Sequence, residues 1–179
     1  IPLTVDANSA YTLKDIDLFK EMDQYQLQYI EQPLGEEDIV DHAVLQKEIE
    51  TPVCLDESVV SYEAAEAAIR LGSCKVINIK SSRCGGVYEG KRIHDLCVAH
   101  GIPVWCGGMT ELGIGRAQNV SFASLPGFTE LAHDVAAANR YFDEDITSPI
   151  VDITDRCTII VPDEDNGIRY EVDEKQIDK

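Results

Sequence analysis

The sequence predicts an α/β fold on a parallel β-sheet, either a doubly wound sheet or a (β/α)8 barrel. First, 44% of its 179 residues are hydrophobic, yet no apolar run reaches the ~20 residues of a membrane span, so the composition is that of a globular protein. Second, short runs of Val, Ile and Leu alternate with helical patterns. Third, an ionisable residue follows each of four such runs.

Five short apolar segments are predicted to be strands. Each is bounded by turn residues or charges, which is typical of a strand buried on both faces. The segments are residues 3–5, 27–30, 53–55, 76–79 and 102–105. Because parallel strands need crossover connections, helices are expected between them.

Capping residues predict three of these helices. Thr12, with Asp15 three residues later as an imperfect capping box, predicts a helix that starts directly after it. Ser61 predicts the start of a second helix, which Gly72 ends. A third helix is predicted over residues 87–100, between two glycines.

Charge and cysteine content exclude several classes of partner and site. The chain has 33 acidic and 15 basic residues, hence a net charge of −18, whereas nucleic acids and anionic membranes attract clustered Lys and Arg. We therefore expect neither as a partner. The six cysteines form no C-x-x-C pair, and several lie in apolar runs. They predict reduced, mostly buried thiols and a cytoplasmic protein.

Ionisable residues recur after the predicted strands at nearly constant spacing. Asp6, Glu31, Asp56 and Lys80 are separated by 25, 25 and 24 residues. The carboxyl ends of parallel strands meet at one rim, where α/β proteins keep their active sites. Three neighbouring carboxylates repel one another, and a bound cation would offset this repulsion. A ligand set of oxygens without Cys or His suits Mg²⁺ or Mn²⁺. Alternatively, each acid caps a helix or pairs with a surface lysine.

Lys80 ends an apolar run. Partial desolvation there is expected to lower the pKa of the ammonium group toward that of a useful general base. The alternative is a rim lysine whose stem covers apolar surface while its charge reaches water. The register with the three acids favours the first interpretation.

At these residues the chain resembles the enolase superfamily, in its muconate-lactonizing branch. The motifs are V-D-A-N at 5–8, Y-I-E-Q-P at 29–33, L-D-E-S at 55–58, K-S-S-R-C-G-G at 80–86, W-C-G-G-M-T-E at 105–111 and G-I-G-R-A at 113–117. Together they resemble the o-succinylbenzoate synthase and N-succinylamino acid racemase group, over about residues 2–151.

The resemblance implies a modified TIM barrel that is incomplete here and starts at about the third strand. Residues 1–151 would form the carboxyl-terminal portion of the barrel domain. Residues 152–179 would be a terminal segment that packs toward a capping domain absent from this chain. Its two short strands are expected at 158–161 and 169–172, joined at Asn166-Gly167.

The resemblance also implies roles for ten residues. Asp6, Glu31 and Asp56 would bind Mg²⁺, or Mn²⁺, and Lys80 would be catalytic. The other six are Asn8, Gly108 and Met109 as contacts of a small carboxylate substrate, and Glu57, Arg83 and Glu111 as supporting residues, with Glu111 expected to pair with a cation of the rim or to orient Lys80. None of the four histidines is expected to be catalytic.

The implied reaction removes the proton α to a carboxylate and gives an enediolate that a dication stabilises. Loss of water would then form o-succinylbenzoate for menaquinone synthesis, whereas reprotonation from the other face would make the enzyme an N-acylamino acid racemase. The family's dehydration lysine belongs to a K-x-K motif on an earlier strand. This chain has no K-x-K, so alone it is expected to be inactive.

Two alternatives remain open. One is a muconate cycloisomerase-like enzyme or another superfamily member. The other is an inactive fragment that serves as a folding unit or an interaction module. A dipeptide substrate is disfavoured, because Asp134-Val135-Ala136 stands where dipeptide epimerases carry D-x-D. The full-length protein is expected to be a homo-oligomer.

Overall fold

A computed structural model describes residues 1–128, 130–161 and 170–177. The chain forms two compact units, Ile1–Val104 and Trp105–Lys179. Within the described ranges, every helix is too short or too polar to cross a bilayer.

Five strands form one sheet in sequence order, β1-β2-β3-β4-β5. They are β1 Thr4–Asp6, β2 Tyr29–Glu31, β3 Val53–Leu55, β4 Val76–Ile79 and β5 Val104–Cys106. The pairings from β1 to β4 are parallel. Each strand therefore lies beside the one before it, as repeated strand–helix units require.

The strand predictions are confirmed to within two residues at either end. β3 and β4 have the predicted bounds, whereas β1, β2 and β5 each end one residue later than expected. Between β1 and β2 the hydrogen bonding continues past the predicted ends, because Ala7 N–H donates to the carbonyl of Glu31 at 2.9 Å. Asp6 and Glu31 are consequently the last residues of their strands rather than the first residues of loops.

Helices occupy the gaps between strands. They are α1 Ile16–Met22, α2 Val40–Glu48, α3 Tyr62–Leu71, α4 Val87–Ala99, α5 Gly113–Ala123 and α6 Glu174–Ile177, with 3₁₀ turns at Leu13–Asp15, Asp23–Tyr25 and Ala138–Arg140. The capping box of Thr12 and Asp15 is complete and opens the first 3₁₀ turn. Ser61 Oγ accepts from Ala64 N–H at 3.2 Å, and Gly72 ends α3 with a φ of +72°.

The core of the first unit lies on both faces of its central strands. Every residue of β2, β3 and β4 is buried, as expected for strands covered by helices on one side and by barrel interior on the other. α3 packs through two fully buried alanines, Ala65 and Ala68. Small side chains let this helix approach its neighbours closely.

The second unit has its own small core of Ala117, Val120 and Val151. Its two-stranded antiparallel sheet pairs β6 Thr147–Ser148 with β7 Glu171–Val172. The prediction of a strand at 158–161 is wrong, because a turn engages its first residue: Thr154 N–H donates to the carbonyl of Thr158 at 2.8 Å. The expected Asn166-Gly167 turn lies outside the described residues.

The prediction of mostly buried thiols is confirmed. All six cysteines are thiols, and only Cys157 is exposed. Burial raises the pKa of Cys74, Cys97 and Cys106 to about 12, so these thiols stay protonated near neutral pH.

Candidate active site at the carboxyl ends of the strands

Strand register brings the predicted acids together at one edge of the first unit. Asp6 is directly paired with Glu31, and Glu31 with Cys54, two residues before Asp56. Asp56 and Glu31 are 2% and 7% exposed, whereas Asp6 is exposed. The sheet thus places three carboxylates on three adjacent strand ends, as the spacing predicted.

The buried carboxyl of Glu31 shows the electrostatic consequence. The pKa of Glu31 is raised to about 7, chiefly by burial and in smaller part by the Asp56 and Asp6 carboxylates. The Asn78 amide opposes this shift by donating to Glu31 Oε1 at 2.8 Å, and the Lys80 charge also opposes it. Negative charge is therefore concentrated at this point.

Two cations flank the carboxylate of Asp56. Lys80 Nζ lies 2.7 Å from Asp56 Oδ2, and Arg83 reaches both oxygens, with Nη2 3.3 Å from Oδ2. Both cations come from the end of β4, since Arg83 N–H donates to the carbonyl of Lys80 at 2.9 Å. Their side chains are 16% and 17% exposed, so the ion pairs are largely shielded from water.

Asp6 shapes the turn after β1. Its Oδ1 accepts a hydrogen bond from the backbone N–H of Asn8 at 2.9 Å, and Asn8 has a φ of +44°. This is an Asx-turn. It gives Asn8 a local structural role, and a substrate contact by its side chain stays a prediction.

Glu57 stands beside the acidic cluster. Burial raises the pKa of its carboxyl, and the Asp56 and Asp6 charges add to the rise. Its Oε2 is buried without a hydrogen-bond partner among the described residues. Glu57 thus lies close enough to both aspartates to contribute to the negative field.

The donor set fits a hard divalent cation by its chemistry. It offers only oxygen ligands on adjacent strands, and it carries an excess of negative charge. In the part of the chain that the structure describes, no group of three His, Cys, Asp or Glu side chains converges on a common point. Asp56 instead pairs with Lys80 and Arg83, and Glu31 accepts a hydrogen bond from Asn78.

The remaining predicted residues lie in the second unit. Met109 N–H donates to both carboxylate oxygens of Glu111, at 2.8 and 2.7 Å, and Asn119 Nδ2 donates to Glu111 Oε1 at 3.0 Å. Within the second unit, the expected cation partner of Glu111 is thus replaced by an amide and a backbone N–H. A substrate contact through the N–H of Met109 would have to displace the Glu111 carboxylate.

Gly108 is required by packing. A Cβ at this position would lie 2.6 Å from the carbonyl oxygen of Asp134, and the neighbouring Gly107 forms a parallel bridge with Asp134. The close approach leaves no room for a side chain at Gly108.

Two buried amides at the site were missed by the sequence analysis. Asn78 orients Glu31, and Gln32 hydrogen-bonds the backbone of Asp56 at 2.9 Å. Strand alternation could have found Asn78, because it precedes Lys80 by two residues and so shares its face of β4. No sequence pattern indicates the role of Gln32, apart from its position directly after Glu31.

Comparison with known proteins identifies the family. Residues 1–176 match the family model described as enolase C-terminal domain-like. The chain belongs to this family. It is 52% identical over 179 residues to o-succinylbenzoate synthase of Geobacillus stearothermophilus, which covers all of this chain and 47% of that protein. It is 56% identical over 149 residues to an N-succinylamino acid racemase of Amycolatopsis, covering 83% of this chain and 40% of that protein.

A solved structure extends the comparison to the fold of this enolase C-terminal domain. A member of the enolase superfamily from Listeria innocua superposes with a TM-score of 0.92 at 44% identity, over 99% of this chain and 47% of that one. The predicted barrel is thus confirmed and the doubly wound sheet is excluded. The chain spans about half the length of the curated relatives it matches, so its fold is part of a barrel.

Proposed function

We propose that the protein containing this chain removes a proton α to a carboxylate and then eliminates water to form o-succinylbenzoate. The observation that carries the proposal is the cluster of Asp6, Glu31 and Asp56 beside Lys80, in a chain about half identical to an o-succinylbenzoate synthase. A carbon acid next to a carboxylate is very weak, so its deprotonation requires strong stabilisation of the developing negative charge.

The three carboxylates are the proposed Mg²⁺ ligands. When bound, Mg²⁺ would supply positive charge that stabilises the enediolate. Glu31 is held for this role by Asn78, which occupies Oε1. Mn²⁺ has the same preference for oxygen ligands and is the expected substitute.

Lys80 and Arg83 supply the cationic side of the site. Both are largely shielded from water and lie at the same strand end as the carboxylates. In the dehydration, the ammonium group of Lys80 would stabilise the enediolate as a nearby cation. The proton itself would be handled by a lysine outside this chain.

N-acylamino acid racemisation is the second proposed activity. The similarity to an N-succinylamino acid racemase favours it. Lys80 would then be one of two bases on opposite faces of the substrate, and it would exchange a proton with the α-carbon. The same enediolate would serve both reactions, so one site can support both.

The test is an assay of the full-length protein with Mg²⁺. The substrates are 2-succinyl-6-hydroxy-2,4-cyclohexadiene-1-carboxylate, with o-succinylbenzoate measured by chromatography, and N-succinyl amino acids in D₂O, with exchange of the α-proton measured by NMR. We expect turnover of the first and α-proton exchange in the second, both lost after chelation of the metal. Absence of turnover and of exchange with Mg²⁺ present would refute the proposal.

A further inference from the structure

The side chain of Gln32 is fully buried at the end of β2, directly after Glu31. It makes five hydrogen bonds to described residues. Its Nε2 faces the carbonyls of Leu34 and Gly35, each at 3.2 Å, and Ser58 Oγ at 2.7 Å. Its Oε1 accepts from the N–H groups of Asp56 at 2.9 Å and Ser58 at 3.3 Å.

These bonds join two loops at the active-site rim. The donors of Gln32 hold its own loop, after β2, and its acceptor holds the first residues after β3. Asp56 is thus anchored at its backbone N–H by an amide whose own chain position is fixed relative to Glu31. A buried amide with every polar group paired is a rigid connection.

The backbone of Gln32 extends the connection to the loop after β1. Its carbonyl accepts from Ser9 N–H at 2.8 Å, and its N–H donates to the carbonyl of Cys54 at 2.8 Å. Gln32 has a φ of +34°, which is disfavoured for a residue with a side chain, and the following Pro33 restricts it further. A strained backbone persists where the surrounding structure fixes it, and such sites cluster at functional centres.

We infer that Gln32 is a positioning residue, which sets Asp56 relative to Glu31 by joining the loops that follow β1, β2 and β3. The inference rests on the proposed function, because it takes both carboxylates as Mg²⁺ ligands. Gln32 itself contacts neither the substrate nor the metal in this role. It acts through the backbone of Asp56.

The chain contains a matched control for this role. Gln46 is also buried, at 7% exposure, and also bridges backbone groups: Nε2 donates to the carbonyl of Thr51 at 3.2 Å and Oε1 accepts from Val53 N–H at 2.7 Å. Gln46 holds the start of β3, whereas Gln32 holds its end. In barrel enzymes the first end governs stability and the second carries the site.

The experiment compares Gln32→Leu with Gln46→Leu in the full-length protein. Both changes keep the side-chain volume and remove the amide, so we expect both to lower the thermal unfolding midpoint. Isothermal titration with Mg²⁺ separates them. Gln32→Leu should weaken Mg²⁺ binding by about tenfold or more, as loss of a group that orients a ligand does, whereas Gln46→Leu should leave it unchanged.

Three outcomes decide the matter. Unchanged Mg²⁺ affinity in Gln32→Leu, or an equal loss in both variants, would overturn the role of Gln32. If Gln32→Leu does not fold, the shorter amides of Gln32→Asn and Gln46→Asn are compared by the same criterion. If the wild-type protein binds no Mg²⁺, the proposed function fails instead, and the two failures are thereby distinguished.

Discussion

Individual carboxylates at the rim have different neighbours. Glu31 is buried and has a pKa of about 7, while Asp56 is paired with Lys80 and Arg83. A metal ion that binds Asp56 therefore competes with two cations, and one that binds Glu31 competes with a proton. The affinity of the site reflects these local competitions as well as the donor oxygens.

Replacement of Glu31 by Gln should abolish most Mg²⁺ binding. The amide keeps the shape and can still accept from Asn78, but it lacks the negative charge that a hard cation requires. We expect a loss of affinity of at least about tenfold in isothermal titration. The control is Glu48→Gln, at an exposed glutamate that pairs with Lys20; equal Mg²⁺ affinity in wild type and Glu31→Gln would disprove the ligand assignment.

Replacement of Lys80 by Arg should separate the two activities. Arginine keeps the positive charge near Asp56 but stays protonated, so it cannot act as a base. Racemisation should fall by about 100-fold or more, the usual contribution of a general base, while dehydration should be better preserved than in Lys80→Ala. Both rates are measured as described above for the wild type.

Lys91→Ala is the matched control for this experiment, because Lys91 pairs with Asp95 on an exposed face of α4. It should alter neither activity. Racemisation that persists in Lys80→Ala would exclude Lys80 as one of the two bases.

Sequence patterns could predict the charged members of the site but not its amides. Asp6, Glu31, Asp56 and Lys80 stand out because an ionisable residue recurs at nearly constant spacing at the ends of four successive strands. Gln32 is neutral, and its contacts with residues up to 26 positions away depend on how loops fold back. Such contacts leave no periodic pattern to detect.

At the scale of elements, α2 carries a histidine that supports the loop after β2. His42 Nε2 accepts from Leu34 N–H at 3.0 Å, so Nδ1 carries the proton and donates to the carbonyl of Asp38. Burial lowers the pKa of His42, although the Asp38 carbonyl and the charges of Asp38 and Asp41 oppose the shift. Protonation would replace the acceptor for Leu34 by a second donor.

The resulting pH dependence has a defined sign. Below about pH 6.5 the unfolded chain binds a proton at His42 that the folded chain resists, so this contribution to stability is complete above that pH and is lost progressively below it. The contribution of His42 to the free energy of unfolding in urea should therefore fall between about pH 7.5 and 5.5. The raised pKa of Glu31 acts in the opposite direction over this range, equally in wild type and variant. His42→Gln keeps an acceptor for Leu34 without titrating, so the stability of the wild type relative to this variant should fall as the pH is lowered; equal slopes in both proteins would contradict the assignment.

Two of the helices for which no capping residue was predicted, α2 and α5, show the limit of sequence patterns. α2 exposes Val40 and Val44, whereas it buries His42 and Gln46 beside Leu45. Polar and apolar residues therefore mix on its buried face. α5 begins at a glycine and buries polar side chains, among them Arg116. Tertiary hydrogen bonds and ion pairs act together with buried apolar residues to hold these helices in place.

At the scale of the whole molecule, Mg²⁺ should stabilise the folded protein. A ligand that binds only the native state at about 100 times its Kd adds about 2.7 kcal/mol to the free energy of unfolding. For a chain of this size the thermal midpoint should rise by about 5–10 °C. NaCl at the same ionic strength is the control, and the rise beyond that of NaCl should be at least halved in the Glu31→Gln variant.

The fold as a whole was the most predictable level. Repeated buried strands at equal intervals, each followed by a helix, admit few architectures, and the ladder from β1 to β4 is the expected one. The weakest prediction concerned the short strands after residue 151. Four alternating residues there could not outweigh the local turn that engages Thr158.

The nearly constant spacing of the four charged residues also has a consequence for biosynthesis. Each proposed ligand belongs to a different strand–helix unit, so the groups leave the ribosome one after another rather than together. A nascent chain that has folded only its first units presents one or two carboxylates, which are too few to retain a divalent cation against water. On the proposed assignment the three ligands are complete once β3 joins the sheet, whereas Lys80 follows only with β4, so metal capture would precede the arrival of the lysine.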